Sequence, residues 1–316
     1  IIFAADYIYV WDSTGIELRD GDNDGQTSGP FSDLCGGWGP AGVTLGDIND
    51  DPGMEIVASC RVTNSIYIFN GDGSVADGWP KQMNYWNWAT PAVGDIDNNG
   101  DMEIVVNDIH GHAYVWNHDG TEFFDGDNDP ATDGVFHVRP AEWYTYSSPA
   151  LADLDGDDTL EIVFASKISN GESNNLYALD LTANNISGWP YELPAAAKSH
   201  CAPAIGDLDC DGDLEIVIIT ENDELHVVTS TGMALSPFPI GFISDSETSG
   251  GICPSPALAD FDGDNVLEIV AVAIHGHDFG QIHVLNLNGE NLDRWPVDVE
   301  GNTESSPIVA DITGDG

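Results

Sequence analysis

The chain has 316 residues, 41% of them apolar, and carries 55 acidic side chains against 7 Lys and Arg, for a net charge of −48. That field repels nucleic acid and anionic membrane surfaces and draws in cations. No stretch approaches the roughly 18–20 apolar residues of a membrane-spanning helix.

Asp supplies 39 of the 55 acids. A short carboxylate reaches local backbone N–H groups and cations, so the excess points to turns and oxygen ligands, with a salt-adapted surface as the alternative. In chain order, Ile1-Ile2-Phe3-Ala4-Ala5 reads as a strand interior, and Asp20, Asp22 and Asp24 follow as a first alternating acidic stretch. One phrase then recurs six times. It appears as Leu45-Gly46-Asp47-Ile48-Asn49, Val93-Gly94-Asp95-Ile96-Asp97 and Leu151-Ala152-Asp153-Leu154-Asp155. It returns as Ile205-Gly206-Asp207-Leu208-Asp209, Leu258-Ala259-Asp260-Phe261-Asp262 and Val309-Ala310-Asp311-Ile312-Thr313. The leading Asp residues are 48, 58, 54, 53 and 51 residues apart. A period near 50 is the size of one four-stranded propeller blade.

Each unit predicts four short strands. The first carries Ser-Pro-Ala, as in Ser148-Pro149-Ala150, and an acidic loop follows it. The second is Glu-Ile-Val with small residues, as in Glu161-Ile162-Val163. The third alternates, as in Ile66-Tyr67-Ile68-Phe69, and runs into a Gly/Asn turn such as Asn70-Gly71-Asp72-Gly73. The fourth is expected to carry Gly78-Trp79-Pro80, Gly188-Trp189-Pro190 or a relative. Period-2 alternation, β-branched residues and Gly/Pro punctuation agree on strand. The expectation is an all-β fold, one β-propeller domain over residues 1–316, with six blades favoured and seven possible. The chain begins in a second strand and ends inside an acidic loop, as expected of a mature or partial chain whose export signal lies outside it.

The acidic loops carry the candidate chemistry. Asp153, Asp155, Asp157 and Glu161 stand at loop positions one, three, five and nine. Alternating residues of a tight turn aim their oxygens at one point, and calcium takes six to eight such ligands. The set recurs as Asp207, Asp209, Asp211 and Glu215, and as Asp260, Asp262, Asp264 and Glu268. Amides enter in Asp47, Asn49, Asp51 and Glu55, and in Asp95, Asp97, Asn99 and Glu103. A sixth loop holds Asp311 and Asp315, with Thr313 a poorer ligand between them. Capping of turns alone would leave three or four carboxylates repelling one another within nine residues. Five or six calcium ions are therefore expected, and magnesium, which dehydrates reluctantly, is disfavoured.

The phrase Pro-Ala-x-x-Asp-x-Asp-x-Asp-x-x-x-Glu-Ile-Val resembles the FG-GAP and VCBS repeats of integrin α-chain propellers and secreted bacterial proteins. The resemblance spans essentially the whole chain. It implies calcium between the first two strands of a blade and no catalysis by the repeat itself. Two departures stand out: Glu at the last ligand where Asp is commoner, and six units where integrin-like rings have seven.

Other residues stay open between site and structure. Asp125, Asp127, Asp129 and Asp133 repeat the one-three-five-nine spacing after a third strand, where other units have a plain turn, as an extra metal site or a solvated loop. His110-Gly111-His112 and His275-Gly276-His277 offer paired imidazoles or plain turns. The Trp of Gly-Trp-Pro is read as packing between blades rather than a sugar platform. Trp86, Trp88, Trp143 and Tyr144 break the repeat before first strands, as a partner surface or as packing. Of five cysteines, Cys201 and Cys253 form a conceivable pair. The combined expectation is a non-catalytic extracellular or cell-surface module. It would bind a protein or glycan at a propeller rim, or its own copies, but neither nucleic acid nor the membrane interior. The alternatives are a calcium-dependent polysaccharide lyase or hydrolase, and a subunit of a filament or surface layer.

Overall fold

The computed structural model describes residues 2–4, 7–19, 31–32, 34–35, 40–49, 51, 53–128, 133–137, 146–166, 174–194, 199–221, 224–241, 254–275, 279–301 and 305–311. Among them there is no helix, and none is therefore long and apolar enough to cross a membrane. A two-stranded sheet pairs β1 (Ile2–Ala4) with β2 (Ile8–Val10). Four-stranded antiparallel sheets follow in strict chain order. The first holds β3 (Pro40–Gly46), β4 (Glu55–Cys60), β5 (Ser65–Phe69) and β6 (Lys81–Gln82), and the second β7 (Ala92–Gly94), β8 (Glu103–Asn107), β9 (Ala113–Asn117) and β10 (Val135–His137). Next come β11 (Ala150–Ala152), β12 (Glu161–Ser166), β13 (Asn174–Leu179) and β14 (Tyr191–Leu193), then β15 (Ala204–Gly206), β16 (Glu215–Ile219), β17 (Glu224–Thr229) and β18 (Ile240–Gly241). The last holds β19 (Ala257–Ala259), β20 (Glu268–His275), β21 (Phe279–Leu285) and β22 (Val297–Glu300).

The second strand of each sheet is its hydrophobic spine. β4, β8, β12 and β16 are buried at every position, which is why they read as continuous Ile/Val runs rather than as alternation. Their contacts build a core in each of two compact units. One unit comprises Ile1–Leu151, Asp158–Leu160 and Leu181–Ala183; its core includes Val57, Ile68, Ile104, Tyr114 and Trp116. The other comprises Ala152–Asp157, Glu161–Asp180 and Asn184–Gly316; its core includes Val163, Leu176, Val217, Val227 and Ile269. Fully burying one such side chain contributes about 1.5–3 kcal/mol.

The turn after each third strand repeats in register. A bridge joins residues six apart in Trp11–Glu17, Phe69–Val75, Trp116–Glu122, Leu179–Asn185, Val228–Ala234 and Leu285–Asn291. In Asn70–Ser74 the turn is held by Asp72, whose Oδ1 accepts the Ser74 N–H at 2.8 Å.

Two expectations need correction. Gly-Trp-Pro is not in the fourth strand but in the connection before it, since β6 begins at Lys81 and β14 at Tyr191. The reason is geometric: Gly78 has φ 86° and Gly188 φ 93°, and a Cβ on either would strike the main-chain carbonyl of Asp119 or Thr231. The tryptophans beside them are buried. Trp79 Nε1 donates to the His118 carbonyl at 3.2 Å and Trp189 Nε1 to the Ser230 carbonyl at 2.7 Å. Each thus ties its repeat to the turn of the next, which is the packing role expected of it. Second, the stretch from Asp125 does not replace the turn after a third strand. That turn is present at Asp119–Thr121, and Asp125, Asp127 and Asp133 lie in the connection to β10.

A disulfide joins Cys35 to Cys60 at the end of β4, a pairing that irregular cysteine spacing could not give. Cys201 is a buried free thiol, and Cys253, its conceivable partner, lies outside the described residues.

Candidate metal centres

Strand register assembles the acidic sites. The residue before each leading Asp pairs across the sheet with the position-nine Glu: Gly46 with Glu55, Gly94 with Glu103, Gly206 with Glu215 and Ala259 with Glu268. The loop between must fold back on itself, and the ends of the motif meet. Four clusters result: Asp95, Asp97 and Glu103; Asp153, Asp155 and Glu161; Asp207, Asp209 and Glu215; Asp260, Asp262 and Glu268. In each, one carboxylate oxygen per residue lies within 4.8 Å of the others. Oxygens bound to one calcium at about 2.3–2.6 Å lie no more than about 5 Å apart, so the spacing suits a single ion.

The Glu is the buried floor of each loop. Its Oε2 accepts the backbone N–H of loop position two in all five complete loops: Ile48 at 2.8 Å, Ile96 at 3.0 Å, Leu154 at 2.7 Å, Leu208 at 3.0 Å and Phe261 at 2.8 Å. One oxygen is thereby fixed, and the carboxylate is held within the cluster it forms with the Asp pair. Glu103 is 0% exposed, and its Oε1 has no hydrogen-bond partner; the same holds for Asp97 Oδ1 and Asp207 Oδ1. A buried orphan carboxylate oxygen costs several kcal/mol unless a cation meets it. Burial, with the neighbouring Asp charges adding to it against the loop N–H, pushes Glu103 and Glu161 up to about 7. Glu215 and Glu268 are raised for the same reasons. An all-oxygen, multiply anionic donor set with these features fits a hard divalent cation.

Position five behaves differently. Asp51 Oδ1 accepts the Gly53 N–H at 2.7 Å, Asn99 Oδ1 the Asp101 N–H at 2.6 Å, Asp211 Oδ1 the Asp213 N–H at 2.9 Å and Asp264 Oδ1 the Val266 N–H at 2.8 Å. These side chains shape the turn with one oxygen, a role the spacing alone did not separate from ligation. In the first loop Asn49 likewise accepts the Asp51 N–H, at 2.9 Å, while Asp47 is exposed. Asp311 is exposed, and Asp315 lies outside the described residues.

Charge removal at one floor tests the ligand set. Glu161→Gln keeps an oxygen for the Leu154 N–H but removes the buried charge. We expect calorimetric titration to count one calcium ion fewer, and the chelated variant to melt no lower than the chelated wild type. An unchanged ion count would take Glu161 out of the set.

The remaining candidates distribute as follows. Asp125, Asp127 and Asp133 are not drawn into a three-carboxylate cluster among the described residues, and Asp129 lies outside them. Glu122, which spacing did not single out, joins this loop through its Oε1, which accepts the Gly134 N–H at 3.0 Å. His112 is held by Asp108, Nδ1 to Oδ2 at 2.8 Å, whereas Gly276 and His277 lie outside the described residues. Trp86 and Trp88 are exposed; Trp143 and Tyr144 lie outside the described residues.

The family model for FG-GAP-like repeats matches residues 51–106, 153–218 and 207–271, together more than half of the chain. No curated protein matches the sequence. Among solved structures the chain is similar to the V. cholerae biofilm matrix protein Bap1, with 18% identity and a TM-score of 0.53 over 82% of this chain and 39% of that one. It is also similar to the computationally designed Ika8 protein, with 11% identity and a TM-score of 0.57 over 98% of this chain and 74% of that one. A third likeness is to the C-terminal domain of Pseudomonas aeruginosa PilY1, with 11% identity and a TM-score of 0.50 over 92% and 79%. At such identities these likenesses speak for the fold alone. The chain spans well under half the length of the Bap1 chain it matches. With its repeats, its four-stranded sheets and its Asp/Asp/Glu clusters, the chain is a β-propeller protein of the FG-GAP-like repeat family.

Proposed function

We propose that the chain is a non-catalytic, extracellular or cell-surface module whose blades are stapled by calcium and whose rim binds a glycan or protein partner. The observation that carries this reading is the recurrence of one buried Glu floor beneath an Asp pair in successive sheets. An arrangement repeated in four successive sheets suits a scaffold role better than a single catalytic centre. Calcium rather than magnesium is favoured because each cluster offers three carboxylates at once. The Cys35–Cys60 disulfide supports an oxidising compartment.

The test is incubation of the chain with a panel of polysaccharides in calcium, followed by assays for retention and for new reducing ends. Retention without cleavage is the expected outcome. New reducing ends or unsaturated products would instead establish a polysaccharide-degrading enzyme.

A further inference from the structure

We propose that the outward face of the segment Met83–Ala89, with Arg61 and the Asp108–His112 pair, is a binding site for a neutral glycan chain. This deepens the function proposed above, on which it rests, by naming the ligand class and the place.

The segment alternates between anchors and display. Met83, Asn87 and Ala89 are buried, whereas Tyr85, Trp86 and Trp88 are 41%, 42% and 43% exposed. Its backbone is pinned: the Met83 N–H donates to the Asn64 carbonyl at 2.7 Å, the Asn84 N–H to Tyr114 Oη at 3.0 Å, and the Ile109 N–H to the Trp86 carbonyl at 3.0 Å. The three rings are therefore held outward by fixed main chain, and little entropy is lost when a ligand meets them. Trp86 and Trp88 lie 6.5 Å apart at 48° to one another, and Tyr146 meets Trp88 edge-on at 5.7 Å. The Arg61 guanidinium sits 3.9 Å over the Trp88 ring.

Polar groups border the rings. Asp108 is fully buried and accepts four hydrogen bonds, from the His110 and His112 N–H groups, His112 Nδ1 and the Tyr114 hydroxyl. This holds His112 with Nδ1–H toward the carboxylate and leaves Nε2 as its second polar atom. Tyr85 stacks on His112 at 5.8 Å and lies 3.9 Å from the His110 ring. The result is a fixed cluster of exposed, mutually tilted rings, with the guanidinium over one face of Trp88 and the imidazoles against Tyr85.

A pyranose ring matches that arrangement, with a C–H face for Trp86 or the uncovered face of Trp88 and hydroxyls for His112 and Arg61. An anionic polymer does not, because the chain carries −48. Exposed tryptophan on a pinned segment is otherwise a liability for aggregation.

The experiment titrates the calcium-loaded chain with neutral hexasaccharides of β-1,4-glucan, β-1,3-glucan, mannan and chitin type, and with oligogalacturonate as the anionic probe. Binding is read by tryptophan fluorescence and calorimetry. The W86A/W88A double variant removes two exposed rings, and its calcium-dependent melt verifies the fold. We expect a neutral hexasaccharide to bind and its affinity to fall roughly tenfold or more in the double variant. The proposal is overturned if no neutral probe binds, if the double variant binds as tightly as wild type, or if oligogalacturonate binds more tightly than every neutral probe. The melts separate this from the calcium reading: an unchanged calcium shift with no glycan bound sinks the site alone.

Discussion

Stripping calcium from the chain is expected to lower its melting temperature by on the order of 10 °C. Extracellular-type sites bind at about 10⁻⁴–10⁻³ M, so about 10 mM calcium holds them at tenfold their dissociation constant or better. Each then contributes roughly 1.4 kcal/mol, and the four Asp/Asp/Glu clusters together about 6. For a chain of this size each kcal/mol moves the midpoint by roughly 2 °C. The loss is a large share of the stability of a typical domain, about 5–15 kcal/mol. The like charges left behind act in the same direction, because the floor Glu of each cluster is buried beneath two Asp carboxylates. The measurement is a pair of melts, in calcium and in excess chelator, with a third in magnesium that should resemble the chelated one. Superimposable calcium and chelator curves would leave the loops as acidic turns and withdraw the staple.

Trp189→Ala should cost about 3–5 kcal/mol, the usual range for truncating a buried Trp. The side chain is buried with Leu193, Leu208 and Leu225 in one core, and its indole N–H reaches the Ser230 carbonyl at 2.7 Å. Trp189→Phe keeps most of the apolar contact but leaves that carbonyl without its donor, and should cost about 1–3 kcal/mol. Urea unfolding in saturating calcium measures both. A cost below about 1 kcal/mol for the alanine variant would mean that the contact between successive repeats is incidental. In a repeat architecture stability divides between each unit and its interfaces, so the variant should also broaden the transition.

Much of this was readable from residues. The Asp-x-Asp phrase and the Glu-Ile-Val run fixed the period, the loop and the spine, because a metal loop and a doubly buried strand each demand a narrow set of residue types. Position five was not separable: an Asp that ligates and an Asp that closes a turn, as Asp211 does with the Asp213 N–H, have the same spacing. The Gly-Trp-Pro segment was displaced by a few residues because its aromatic, β-favouring composition hid a glycine at positive φ. The Cys35–Cys60 pair depends on the approach of chain segments that no local pattern records. The display of Trp86 and Trp88 was visible only as a break in the repeat; the burial of Asn87 between them decides which way they face.

The bonds that join Trp79 and Trp189 to the following repeat end on main-chain carbonyls, those of His118 and Ser230. A carbonyl is offered by every residue type. The first two positions of the receiving turn are therefore free to drift in sequence, as His118-Asp119 and Ser230-Thr231 already do, while Gly120 and Gly232 keep its backbone shape. Recognition between neighbours asks of the accepting side only a carbonyl and the glycine beside it, since a Cβ on Gly120 or Gly232 would strike the Gly78 or Gly188 carbonyl. A duplicated unit would thus arrive already compatible with its neighbours, and its turns could diverge without a compensating change next door.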